Sequence, residues 1–193
     1  MVQTQFQGEL TSLQKQAAES LLKEDFGVLC ATTAFGKTVV GAWLIARRQT
    51  NTLILVHRRQ LMDQWHERLQ NFVRNIVVLQ GGMGKKKRQA VAEKLKAIPD
   101  TEERLLIATG RYIGEGFDDA RLDTLFLVSP LSWRGTLQQY AGRLHRLHSH
   151  KHKVVIYDYV DEQVSQLARM FSKRLAGYRA MGYTVEEDGE VKE

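Results

Sequence analysis

The chain has 193 residues, 43% of them apolar, which is enough to bury one sizeable core and too few for two full domains of about 150 residues each. Its 28 Lys and Arg against 22 Asp and Glu leave a formal charge of +6, a balance that suits a polyanionic partner without specifying one. A single cysteine, Cys30, excludes an internal disulfide; no leader-like start and no run of about 18 apolar residues is present, so the expectation is a cytoplasmic chain without a membrane span.

In chain order, Leu13, Ala17 and Leu21 recur at helical spacing after Leu10-Thr11-Ser12, so a helix is expected there with Thr11 as a candidate N-cap. A short apolar run at 27–32 follows. Similar runs occur at 52–57, 75–80, 104–109, 124–129 and 153–160, each bounded by turn or charge signals, and they predict six short buried strands. Helical patterns lie between most of them: Val39, Trp43 and Ala46; Leu61, Trp65 and Leu69; Val91, Leu95 and Ile98. Strands alternating with helices imply an α/β fold, a mostly parallel sheet covered on both faces, with ligands at the carboxyl ends of the strands. The acidic end, 181–193, is expected to be a flexible tail.

The first strand runs into Ala31-Thr32-Thr33-Ala34-Phe35-Gly36-Lys37-Thr38 and then directly into a helical pattern. This is the layout of a phosphate-binding loop, G-x-x-x-x-G-K-[ST], with Ala31 in place of the first glycine. Backbone N–H groups of Thr33 to Thr38, among them those of Ala34, Phe35 and Gly36, would face phosphate oxygens at a helix N-terminus. Lys37 would reach the outer phosphates and the Thr38 hydroxyl would hold magnesium.

Further on, the stretch 136–147 places Leu137, Tyr140, Ala141, Leu144 and Leu147 along one helical side and Gln139, Arg143 and Arg146 along the other. That second side reads either as a solvated charged face or as a pair of arginines for clamping a phosphoryl group. Before it, Thr109-Gly110 ends a strand and leads into a turn with Gly114, Glu115, Gly116, Asp118 and Asp119. The cluster Lys85, Lys86, Lys87 and Arg88, preceded by Gly81-Gly82-Met83-Gly84, falls at a helix start, where the dipole disfavours cations; it is either a grip on a sugar-phosphate backbone or a solvated basic turn. Arg169, Lys173 and Arg174 would extend the basic surface. The run ending in Asp158 has the form of a magnesium-binding strand and also that of an ordinary strand end. His145, His148, His150 and His152 read as a basic loop more readily than as a zinc site.

Taken jointly, these segments resemble superfamily-two helicases of the DEAD/DEAH type, closest to restriction and mobile-element members, over most of residues 10–180. ATTAFGKT is similar to their motif I, LTSLQ to the Q motif, TLILVHRRQLMDQW to motif Ia, and IATGRYIGEGFDDARLDTLFLVSP with QQYAGRLHR to motifs V and VI. The resemblance implies ATP and magnesium as cofactors and nucleotide contacts from Gln14, Gly36, Lys37, Thr38, Gly116 and Asp118, with Lys37, Arg143 and Arg146 acting on the phosphates. It also implies nucleic-acid contacts, DNA before RNA, from His57, Arg58, Arg59, Gln60, Gly81, Gly82, Lys85 to Arg88 and Thr109. The D-E-x-H or D-E-A-D box and the Ser-Ala-Thr segment of that family are absent. The expectation is therefore one RecA-like hybrid domain over 1–180, in which 10–72 resembles the start of the helicase first domain and 73–180 the second. With motifs I and VI on one domain, a homodimer could bring the arginines of one copy to the nucleotide of another; the alternatives are a non-hydrolysing nucleotide- or nucleic-acid-binding module, such as an annealing or accessory factor, and an internally deleted helicase remnant.

Overall fold

Why the six apolar runs form one sheet is seen in their burial on both sides. The computed structural model describes residue 6 and residues 8–24, 26–31, 33–70, 75–114, 117–131, 134–149, 151–161 and 163–184. The strands are β1 (Phe26–Cys30), β2 (Thr52–Val56), β3 (Ile76–Leu79), β4 (Leu105–Thr109), β5 (Thr124–Val128) and β6 (Val155–Val160). They form a single sheet in the order β1-β6-β5-β2-β4-β3, and every neighbouring pair is parallel. A parallel sheet needs crossover connections that cover both faces, which is why β2 is buried at all five positions and reads as a continuous apolar run rather than an alternating one.

The helices divide between the faces. On one lie α1 (Ser12–Lys23), α2 (Lys37–Arg48) and α3 (Arg59–Leu69), whose Leu21, Leu44, Met62 and Trp65 pack with Ile54, Val56, Phe126, Tyr157 and Tyr159 of the strands. On the other lie α4 (Lys85–Ala97), the short α5 (Gly110–Gly114), α6 (Arg134–Leu144) and α7 (Ser165–Ala180), with Leu137, Leu144, Phe171 and Tyr178 against Leu55, Leu127 and Ile156. Consecutive residues of one strand thus feed opposite cores, as the period of two requires. Among the described residues no helix is long and apolar enough to cross a membrane.

Several helical expectations need correction in detail. Leu13 is 68% exposed; the face of α1 that packs is Ala18 and Leu21. In α2 the buried set is Val40, Gly41, Ala42, Leu44, Ile45 and Ala46, whereas Val39 and Trp43 are half-buried, Trp43 lying under the Arg47 guanidinium. Helix α6 stops at Leu144, so Arg146 is not on its face and Leu147, expected in the core, is 96% exposed. The Lys151 ammonium donates to the carbonyls of Leu144 and Arg146, satisfying the helix end and turning the chain away. Residues 185–193 of the expected tail lie outside the described residues.

Candidate functional site

The phosphate-loop segment leaves β1 at Cys30, passes through a single 3-10 turn at Thr33–Phe35 and enters α2 at Lys37. Gly36 is the N-cap of α2 with φ +85°, in the left-handed region that favours glycine, and it supplies no side-chain cap. The first-turn N–H groups of α2 are therefore not satisfied by a cap side chain, which is how a helix start receives an anion. Side-chain bulk at Gly36 is excluded too: a Cβ there would stand 2.7 Å from Nε2 of Gln14.

Gln14 shapes that cradle. Its Oε1 accepts from the N–H of Thr11 at 3.0 Å, while its own N–H bonds the Thr11 hydroxyl, the reciprocal pattern of a capping box. The other end of the amide, Nε2, donates to the carbonyl of Phe35 at 2.7 Å. Both ends of Gln14 are thus engaged by the chain itself, and the residue ties the start of α1 to the phosphate loop. Thr11 is the N-cap.

Lys37 is half-buried, and burial pushes its ammonium below the ordinary lysine range; the charges of Asp161 and Cys30 act in the opposite sense. Thr38 follows in the first turn, also half-buried. Of Thr33 the backbone belongs to the 3-10 turn, and Ala34 is exposed. A loop with a glycine-only cap, an open helix start, a partly desolvated lysine and a hydroxyl fits the phosphates of ATP with magnesium, the groups that the motif implies.

The other candidates divide by edge of the sheet. At the same, carboxyl edge lie Arg58, Arg59 and Gln60 after β2, all exposed, with Arg59 loosely paired to Asp63 at 3.8 Å. Thr109 ends β4, and its hydroxyl accepts from the N–H of Gly81 at 3.2 Å, joining the β4 end to the Gly81-Gly82 turn after β3. From that turn α4 begins with Lys85, Lys86, Lys87 and Arg88 exposed; Arg88 donates Nε–H to the Met83 carbonyl at 2.9 Å. Since β1 and β3 are the outermost strands, five spacings of about 4.8 Å set the phosphate loop and this basic turn roughly 24 Å apart along one edge.

Arg143 and Arg146 belong to the opposite edge. Asp119 pairs with Arg104, the residue preceding β4, and so marks the amino ends of the strands. Its neighbour Asp118 pairs with Arg146 at 3.4 Å. Arg143 sits in the last turn of α6, which descends from the carboxyl end of β5 toward the amino end of β6. A cleft of about 750 Å³ opens on this side, lined among others by Lys23, Arg146, His148, Lys151, His152 and Lys153. The structure therefore brings Asp118 to Arg146 and not to the phosphate loop. Gly116 and Glu115 lie outside the described residues.

Of the two readings of Asp158, the structure supports the structural one over the magnesium-binding one. Asp158 is fully buried, accepts from Nε and Nη2 of Arg174 at 2.7 and 2.9 Å and from the Tyr178 hydroxyl at 3.0 Å, and faces away from α2. A carboxylate so enclosed has no room for a metal. Arg174, expected on the basic surface, is its buried counter-ion and also donates to the Leu131 carbonyl at 2.6 Å. Among the described residues no group of three or more His, Cys, Asp or Glu could hold a metal, and of the histidines His145 bonds the Tyr183 hydroxyl at 2.6 Å while His150 lies outside the described residues. The sequence reading missed Asp161, three residues beyond Asp158, whose charge reaches Lys37. Its signal was present as a second acid after the apolar run, Asp161-Glu162, immediately past the strand end.

The family model described as type III restriction enzyme, res subunit, matches residues 7–164. Comparison with curated protein sequences found no match. Among solved structures, the chain is similar to the C-terminal domain of the DEAD-box protein Dbp5, with TM-score 0.63 and 16% identity over 85% of this chain and 87% of that one. It is similar to the E. coli DEAD-box protein SrmB, solved bound to the regulator of ribonuclease activity A, with TM-score 0.58 and 17% identity over 76% and 83%. The C-terminal part of the Fun30 ATPase domain gives TM-score 0.56 and 19% identity over 69% of this chain and 43% of that one. The chain thus spans less than half of the Fun30 structure, and at these identities the likeness is one of fold.

Proposed function

The chain belongs to the type III restriction enzyme res subunit family, and from that membership we propose that it is a nucleotide- and DNA-binding helicase domain that hydrolyses ATP only when a second chain completes its site. The observation that carries this reading is the separation of Lys37 and Arg146 to opposite edges of one sheet. A transferring phosphoryl group needs its cradle and its arginine clamp around the same oxygens, and one copy cannot supply both.

In this reading the N–H groups of the loop and of the first turn of α2 bind the phosphates and Lys37 neutralises the outermost charge. Magnesium, held by Thr38, would spread the charge that develops on the phosphate oxygens. Arg143 and Arg146 of a neighbouring copy approach from the basic cleft at its amino edge. DNA follows the carboxyl edge through Arg58, Arg59, Gly81, Gly82 and the Lys85 to Arg88 turn. These contacts go mainly to the backbone, so sequence selectivity is low and salt sensitivity high. The basic composition and lone thiol suit a cytoplasmic location.

A fluorescent ATP analogue titrated against the parent and Lys37→Ala tests the first half, and hydrolysis with and without single-stranded DNA tests the second. Binding lost on Lys37→Ala, with DNA-stimulated turnover in the parent, is the expected result. Binding without turnover at any protein concentration would instead make the chain a non-hydrolysing module.

A further inference from the structure

Helicases of the family that the sequence resembles use an acidic box to hold magnesium, and this chain has no such box in the position expected from its motif order. The sheet offers another acid. Strands β1 and β6 are parallel neighbours, and their last paired residues are Cys30 and Val160. Leaving the sheet in register, the two chains present Ala31, the start of the phosphate loop, next to Asp161.

The face is also right. Along β6, Val155, Tyr157 and Tyr159 pack into the core that holds α1, α2 and α3, while Ile156 and Val160 pack into the other. Alternation carries Asp161 to the side of α2. Gly41 of α2 faces the end of the Tyr159 side chain: a Cβ there would stand 2.7 Å from the Tyr159 hydroxyl and 2.7 Å from the Trp65 ring. From Gly41 back to Lys37 and Thr38 is about one helical turn, roughly 5 Å of rise. From Tyr159 on to Asp161 is two strand residues, roughly 6.6 Å. Both steps run toward the carboxyl edge, and the register of β1 with β6 carries Asp161 to the edge where the phosphate loop begins. The electrostatics agree, since the Asp161 charge is the largest influence holding the Lys37 proton on against desolvation.

Resting on the nucleotide reading above, we propose that Asp161 is the carboxylate that, together with the Thr38 hydroxyl, binds the magnesium ion of the bound nucleotide. A hydroxyl, one carboxylate and phosphate oxygens make a hard oxygen set, the kind in which magnesium is held between protein and substrate and not in an all-protein cage. A strand end next to the phosphate loop thereby takes the place of the missing box.

The test is the affinity for fluorescent ADP in magnesium and in EDTA, measured on the parent, Asp161→Asn and Asp161→Glu, with thermal melts to establish folding. The expected result is that magnesium tightens binding to the parent, that Asp161→Asn reduces this enhancement about tenfold while binding metal-free ADP at least as well, and that Asp161→Glu restores part of it. An enhancement unchanged within twofold in Asp161→Asn, or absent from the parent, overturns the assignment. A parent that binds ADP in neither buffer overturns the nucleotide reading itself, which separates the two failures.

Discussion

Lys37 and Arg146 stand at opposite edges of the same parallel sheet, Lys37 opening α2 beyond the carboxyl end of β1 and Arg146 paired with Asp118 near the amino ends of β4 and β5. A strand of five residues spans about 17 Å, so no side-chain rearrangement joins them. Any chemistry that needs both requires two chains, and that requirement separates functional from structural roles for the charged residues.

Asp158 and Arg174 fall on the structural side. Arg174→Ala leaves a fully buried carboxylate with only Tyr178 beside it, and removing one partner of such a pair costs about 3–5 kcal/mol. Urea unfolding should show that loss, with the magnesium dependence of ADP binding unchanged in the protein that remains folded.

Gly36→Ala acts in the loop. A residue with a Cβ at φ +85° carries a left-handed penalty of about 1–2 kcal/mol and drives Nε2 of Gln14 off the Phe35 carbonyl. Thermal melts should register a modest destabilisation, and nucleotide titration a much larger proportional loss of affinity.

Replacing Lys85, Lys86 and Lys87 together by Ala removes three exposed cations from the start of α4. If they contact phosphates of single-stranded DNA, the slope of log affinity against log salt flattens by about 2, at roughly 0.7 per phosphate. An unchanged slope would make the cluster a solvated turn.

Lys37 has its folded-state pKa lowered by burial, so between that value and the ordinary lysine value the unfolded chain binds the extra proton. Its charge therefore costs stability at neutral pH, and the cost is relieved as pH rises through the lowered value. Lys37→Met should melt higher than the parent at pH 7 while losing nucleotide binding, and its advantage should shrink in alkaline buffer. Calorimetry across that range checks the sign.

How much of this was legible in the sequence differs by element. All six strands were, because burial on both faces leaves continuous apolar runs such as Leu105 to Ala108. The strand–turn–helix course through Gly36-Lys37-Thr38 was, because it depends on local order alone. The stripe of α2 was not, since a helix with six buried residues has no single apolar line to read. Nor was the end of α6, which depends on Lys151, seven residues past Leu144. Asp158 reads as a strand-end acid until Arg174 is folded against it from 16 residues away. Strand order is the deepest gap: β1 lies beside β6, the last strand in sequence, and nothing local announces that Asp161 will border the loop of residues 31–36.

Completion of the site in trans is the requirement on which turnover depends. Lys37→Ala and the double variant Arg143→Ala with Arg146→Ala should each be inactive as ATPases, and mixing them should restore turnover, because one copy brings intact arginines and the other an intact loop. For the parent, the specific rate should rise with protein concentration. No recovery on mixing, together with a specific rate independent of concentration, would contradict it.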